Sequence, residues 1–171
     1  MNAVALLTIV VPVYNRAGQV AMTLDTIAAS TCPLFDLIVV DNASTDNSLD
    51  VCRQWAAMHS GKGFDVRVES EEKAGAPAAR NKGLSLCRTP YIYYFDSDDL
   101  FSAEFVADIS RHLTACTTRP DMLFVPSQQQ LKGKLRIRAY STCASPRLHI
   151  LNAMLGTQNM ALSMCRRGEA Q

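Results

Sequence analysis

Apolar positions along the chain fall into short β-branched runs that alternate with stretches of helical period. Thr8 to Val13 is almost wholly apolar, the pattern of a strand covered on both faces, and it stops at Tyr14-Asn15. Val20, Leu24, Ile27 and Ala28 then recur at i, i+4, i+7 and i+8, which places them on one face of a helix that Pro33 ends. The alternation repeats: Asp36 to Val40 reads as a strand, Asp41 to Asn47 as a polar turn, and Ser48 to His59 as a helix with Leu49, Cys52 and Ala56 inward. Phe64 to Glu69 is a third strand, Pro77 suits the first turn of a helix running to about Cys87, and Tyr91 to Phe95 is a fourth strand.

Beyond Leu100, Ser102 is placed to cap a helix carrying Phe105, Ile109 and Leu113, and Met122 to Val125 adds a strand. Leu131 to Ile137 reads as a hairpin around Lys132-Gly133-Lys134, and Arg147 to Leu155 as a short helix. Successive β-α-β units with short connections predict an α/β fold, a Rossmann-like and mostly parallel open sheet flanked by helices. In such a sheet the ligand site lies beyond the carboxyl ends of the strands, where every polar turn of this chain falls. No repeat or linker divides the 171 residues, so one compact unit is expected.

Composition narrows the classes of function. With 48% apolar and 19% charged residues the chain can bury a core. A formal net charge of +1, with its 17 basic residues scattered, excludes the electrostatic footprint of a nucleic-acid binder. Six cysteines without a C-x-x-C suit neither a zinc knuckle nor a disulfide scaffold and read as reduced. The apolar stretch Ala3 to Val13 is too short to span a bilayer and lacks a basic flank, so no transmembrane segment is expected.

Candidate chemistry sits in the turns. The strand Tyr91 to Phe95 stops abruptly at Asp96-Ser97-Asp98-Asp99, three carboxylates within four positions. Like charges so close disfavour one another's ionised form, and a divalent cation would compensate them. Mg²⁺ or Mn²⁺ takes one or two protein carboxylates and completes its shell with water and a diphosphate; Asp98 is the first choice of ligand and Asp96 the next. The alternative is a strand-end turn whose Asp and Ser satisfy backbone groups and cap the next helix. Gly75 to Gly83 offers small residues for close backbone approach and Arg80 as a permanently charged fork; it also fits an ordinary alanine-rich helix. Asp41 to Asp46 follows a strand where open α/β sheets present side chains to a base or ribose, or else caps a helix.

Taken in order, Val10-Val11-Pro12-Val13-Tyr14-Asn15-Arg16, Val39-Val40-Asp41-Asn42-Ala43-Ser44-Thr45-Asp46, Ala79-Arg80-Asn81-Lys82-Gly83 and Asp96-Ser97-Asp98-Asp99 resemble the family 2 glycosyltransferases over roughly residues 7 to 110. The resemblance implies a GT-A fold and a nucleoside diphosphate sugar as donor, a UDP-sugar favoured. By it, Pro12, Tyr14, Asp41 and Asn42 hold the base, Arg80 lies beside it, and Asp96 and Asp98 hold ribose and metal. Asn15, Arg16, Ser44, Asn81 and Ser97 complete the nucleotide-binding set. Asn42 stands where Asp is frequent in the family. Residues 1–126 then form the nucleotide-sugar-binding domain, and 127–171 the remnant of an acceptor-side region continuous with it.

The same resemblance implies inverting transfer to a glycan or lipid-linked acceptor, polysaccharide biosynthesis, and a place in the cytoplasm or at the inner face of the membrane. The family's general base, commonly in a Glu-Asp pair followed by Gln-x-x-Arg-Trp, is not found. Later acidic residues are Glu104, Asp108, Asp121 and Glu169, and none fits that role. Loss of such a base costs roughly 10² to 10⁴ in rate. The chain therefore reads as a shortened glycosyltransferase, with a nucleotide-sugar-binding module lacking its base as the second reading. A nucleotidyltransferase ranks last, because its glycine-rich start is missing.

Overall fold

In the computed structural model the structure describes residues 5–117, 120, 122–124, 128–131, 134–137 and 163–166. Four strands follow the apolar runs: β1 (Leu7–Val13), β2 (Phe35–Asp41), β3 (Asp65–Ser70) and β4 (Tyr91–Tyr94). Between and after them lie α1 (Val20–Ala28), α2 (Ser48–His59), α3 (Ala76–Leu86) and α4 (Phe105–Ala115). Three further strands, β5 (Met122–Phe124), β6 (Gln128–Leu131) and β7 (Lys134–Ile137), precede β8 (Ser163–Arg166).

The sheet order is β3-β2-β1-β4-β8-β5. β1 pairs in parallel with both β2 and β4, and β2 in parallel with β3, so the expected parallel sheet is formed by the first four strands. β8 runs antiparallel to β4 and β5 and seats itself between them. Order 3-2-1-4 means that the chain folds outward to β3 and then crosses back over β2 and β1 to place β4 beside β1.

Side-chain alternation divides the core in two. Leu7, Ile9, Val11 and Val13 of β1 point to the layer that holds α1, α2 and α4, together with Leu24, Ile27, Trp55 and Ile109. Val10, Ile38, Val40 and Ile92 face the other way, onto Ala79 of α3. There α3 lies so close to β1 that a Cβ added at Gly83 would overlap Cγ1 of Val10 and come within 2.9 Å of its Cγ2.

Several local expectations shift. Helix α2 buries Ser48, Cys52 and Trp55 rather than Leu49 and Ala56, which are partly exposed. The indole N–H of Trp55 donates to the Asp25 carboxylate at 2.7 Å, tying α2 to α1 and giving a large ring a polar partner. Burial pushes the Cys52 thiol up to about 12, so it stays protonated. Ser102 does not cap α4: Glu104 occupies that position, and the Ser102 carbonyl accepts from the N–H of Phe105. The expected hairpin is present as β6 and β7, paired antiparallel, with its first strand at Gln128–Leu131. The helix expected over Arg147 to Leu155 lies outside the described residues.

Candidate functional site

All four strands of the parallel set end at the same edge, and their turns meet there. Pro12, Val13, Tyr14, Arg16, Asn42, Ala43, Ala74, Gly75, Ala76, Arg80, Asp96, Ser97 and Asp98 line one cleft of about 670 Å³. Of the expected site residues, Pro12, Tyr14, Arg16, Asn42, Arg80, Asp96, Ser97 and Asp98 thus come together, whereas Asn15, Asp41, Ser44 and Asn81 are not in its lining.

The first two turns are knitted to each other. The Asn15 N–H donates to Ser44 Oγ at 3.0 Å, and Asn15 Oδ1 accepts from the Thr45 N–H at 2.8 Å. The N–H of Arg16 donates to Ser48 Oγ at 2.7 Å, and Asp46 accepts from the N–H of Ala17 at 3.1 Å and of Ser48 at 3.0 Å. Asn15 and Ser44 therefore support the cleft from behind. Asn15 and Ala43 both hold positive φ, 51° and 53°. For a residue with a Cβ that conformation is strained, and it persists here at two turns bordering the cleft.

Asp41 is 3% exposed and alternates onto the same side of β2 as Leu37 and Val39. Its Oδ2 accepts from the N–H of Ser44 at 3.2 Å, and its Oδ1 is buried without a hydrogen-bond partner. The carboxylate thus shapes the β2–α2 turn. Asn42, one residue later and turned to the opposite side, lines the cleft. Asn81 is exposed on α3.

The carboxylate turn after β4 is held from two directions. Phe95 and Phe101 bracket it edge to face, 5.2 Å between centroids, and Phe101 meets Phe105 at 4.9 Å. From α1, the Thr23 hydroxyl donates to the Ser97 carbonyl at 3.0 Å and Thr26 Oγ1 accepts from the Phe101 N–H at 3.0 Å. Signals for these two threonines were absent from the apolar periodicity, since both lie on a helix read for its hydrophobic stripe.

Asp98 pairs with Arg16 and Asp96 with Arg80, each at 3.2 Å. Both carboxylates are about half exposed (50% and 47%), so they can exchange these partners without a large desolvation cost. Asp99 is raised above the usual carboxylate range, first by burial and then by Asp96 and Asp98. The Tyr93 phenol beneath is raised as well, chiefly by burial.

Among the described residues no three His, Cys, Asp or Glu side chains cluster as metal ligands. A closed protein cage of the zinc type is thus absent among them, whereas Mg²⁺ or Mn²⁺ needs only one or two protein carboxylates beside substrate oxygens and water. Asp96 and Asp98 fit that requirement. Among the described residues after Asp99 the carboxylates are Glu104, which accepts from the Thr31 hydroxyl, and Asp108, which pairs with Arg111. Neither lines the cleft. No described helix is long and apolar enough to cross a membrane.

An open parallel sheet with strained turns, two arginines and paired carboxylates at its switch point defines an α/β domain of the GT-A class. Residues 8–122 match Glycosyl transferase family 2, and the chain belongs to that family. It is 32% identical over 107 residues to "Glycosyltransferase GlyA" of Streptococcus pneumoniae, covering 63% of this chain and 15% of that protein. It is 34% identical over 101 residues to "Poly(ribitol-phosphate) beta-glucosyltransferase" of Bacillus spizizenii, covering 57% and 16%. The chain thus spans well under half the length of these relatives.

Among solved structures, S. aureus TarS 1-349 in complex with UDP-GlcNAc shares the fold, with a TM-score of 0.70 and 19% identity over 95% of this chain and 45% of that one. The mannosyltransferase PcManGT from Pyrobaculum calidifontis, in complex with GDP-Man and Mn²⁺, has a TM-score of 0.59 and 28% identity over 67% and 34%.

Proposed function

We propose that the cleft binds a nucleoside diphosphate sugar, a UDP-sugar by preference, and that the protein takes part in inverting, metal-dependent transfer of the sugar to a glycan or lipid-linked acceptor. The observation that carries this reading is the convergence of Tyr14, Arg16, Arg80, Asp96 and Asp98 from two separate turns and a helix onto one cleft. Tyr14, 56% exposed at the rim, offers a ring face to a base. Arg16 and Arg80 supply permanent positive charge to a diphosphate or ribose, and Asp96 and Asp98 supply oxygen ligands to the cation. Held by Asp96 and Asp98, Mg²⁺ or Mn²⁺ would supply charge neutralisation to the leaving diphosphate, worth several kcal/mol. Between the two carboxylates, the Ser97 carbonyl is anchored to α1 by the Thr23 hydroxyl.

Titration calorimetry with UDP in the presence and absence of Mn²⁺ tests the donor site. Asp98→Asn should weaken metal-dependent binding at least tenfold; undiminished binding, or binding indifferent to Mn²⁺, would overturn the assignment. The second reading, a donor-binding module without its own base, is favoured by the places of Glu104 and Asp108 away from the cleft lining. Labelled donor sugars with a panel of acceptors separate the two: turnover supports the enzyme, and binding without turnover supports the module.

A further inference from the structure

Asn42 lies where β2 leaves the sheet and is 4% exposed. Its amide is directed entirely at the loop that follows β3. Nδ2 donates to the Lys73 carbonyl at 2.7 Å and to the Glu71 carbonyl at 3.3 Å, while Oδ1 accepts the Gly75 N–H at 2.7 Å. Only this orientation puts donors against acceptors, and both N–H groups are taken by it. Gly75 in turn has φ of +116°, a conformation suited to glycine, and its carbonyl receives the N–H groups of Ala78 and Ala79 at the start of α3.

Ala74, Gly75 and Ala76 form one wall of the cleft. Because β3 and β2 lie to one side of β1 and β4 to the other, this wall stands across the cleft from Asp98. If the cleft binds a nucleoside diphosphate as proposed above, the wall faces the nucleoside and the carboxylate turn faces the diphosphate.

We propose that Asn42 is a positioning residue for nucleoside recognition: its amide holds residues 71–75 as the nucleoside wall and does not itself read the base. This inference rests on the donor-site reading, and it requires an amide at position 42. A carboxylate there would set negative oxygen against two carbonyls and could accept only from Gly75. Once protonated, it has one O–H donor and one acceptor, enough to restore both 2.7 Å bonds and not the longer one. Charged groups around the clamp are Asp41 before it, Glu71, Glu72 and Lys73 in the loop, and Arg80 on α3; Glu71 is itself engaged, accepting from the Lys73 N–H at 2.9 Å. Wild type measured at each pH corrects for their titration.

The test compares UDP with inorganic diphosphate, both with Mn²⁺, by calorimetry on wild type, Asn42→Ala and Asn42→Asp. At pH 7.5 both variants should bind UDP about tenfold more weakly than wild type, because buried carbonyls lose their donor, while diphosphate binding changes less than twofold. At pH 5, relative to wild type, Asn42→Asp should regain part of the loss, because burial against two carbonyls raises its carboxyl above the ordinary ~3.9, and Asn42→Ala none. Wild-type UDP affinity in Asn42→Asp at pH 7.5, or a parallel fall of UDP and diphosphate binding, would overturn the proposal. Should Asn42→Ala not fold, the pH response of Asn42→Asp alone carries the test. Hydrogen exchange at the Gly75 amide reports the clamp directly: it should be slow in wild type and fast in Asn42→Asp at pH 7.5, and equal rates refute the clamp. If wild type binds diphosphate but not UDP, the nucleoside role falls; if it binds neither while Gly75 is protected, the donor-site reading falls and takes that role with it.

Discussion

Replacing Gly83 by alanine sets two known effects against each other. In an exposed helix the change would stabilise by about 1 kcal/mol, because alanine is the better helix former. Here the added methyl would overlap Cγ1 of Val10 and lie 2.9 Å from Cγ2, against the ~3.5–4.0 Å of an ordinary carbon contact. Val10 is fully buried, and turning its side chain exchanges one clashing methyl for the other. Relief must come from moving α3 off the sheet. Overpacking of this kind costs about 1–3 kcal/mol, and a clash with both methyls belongs at the upper end. The expected net loss is about 2 kcal/mol, read as a fall in Tm of roughly 4–8 °C for a domain of this size. Arg80 sits one turn earlier on α3, so its 3.2 Å contact with Asp96 should loosen and UDP affinity should drop with stability. Urea melts of Gly83→Ala, Val10→Ala and the double variant form the assay. Removing both Val10 methyls makes the room that residue 83 needs, so the double variant should be at least about 1 kcal/mol more stable than the sum of the singles. A rise in Tm for Gly83→Ala, or additivity within about 0.5 kcal/mol, would refute the close-packing account.

Two further outcomes follow from the turns. Arg16→Gln removes the cation that pairs with Asp98; exposed pairs are worth about 0.2–1 kcal/mol, so affinity for Mn²⁺ alone should rise by up to about fivefold while UDP affinity falls, as measured by electron paramagnetic resonance and calorimetry. Asp46 joins the β1–α1 and β2–α2 turns, and its carboxyl is held below the usual range, chiefly by the Ser48 hydroxyl. A lowered folded pKa contributes stability that is present above the unfolded value, about 3.9, and lost as pH falls through the folded one. Wild type should therefore melt higher than Asp46→Ala at neutral pH, with the gap closing below about pH 4; a gap constant from pH 7 to 3 would contradict this.

The sheet and its helices were legible because their residues obey one period at a time. β1 and β2 are apolar on both faces, and α1 carries its stripe at Val20, Leu24 and Ile27, all buried. β8 was not legible: four residues, Ser163–Arg166, become a strand through partners on β4 and β5 about 40 to 75 positions away, which no local pattern encodes. Trp55 escaped because the stripe of α2 was placed on Leu49 and Ala56, while the neighbouring helix offers Asp25 to the indole. At the site, the residue types and their strand ends were readable, and eight of the named side chains meet in the cleft. Which of two adjacent residues borders the cleft was not, because that depends on the pleat at the last residue of β2. Asp41 turns under the α2 layer, while Asn42 borders the cleft with its amide tied to residues 71–75.

The insertion of β4 beside β1 has a consequence for the growing chain. Leu7 pairs with Tyr91, so the central strand keeps one edge open until some eighty more residues have been synthesised. A nascent chain holding only β1 to β3 has Tyr14, Arg16 and Asn42 but neither Asp96 nor Asp98, and its longest apolar strand remains unpaired on one side. Domains fold as units during synthesis, and an exposed edge of this kind invites pairing with another chain. Emergence of Tyr91 to Asp98 from the ribosome closes that edge and delivers the carboxylates in the same event. Completion of the cleft and the protection from aggregation thus arrive together.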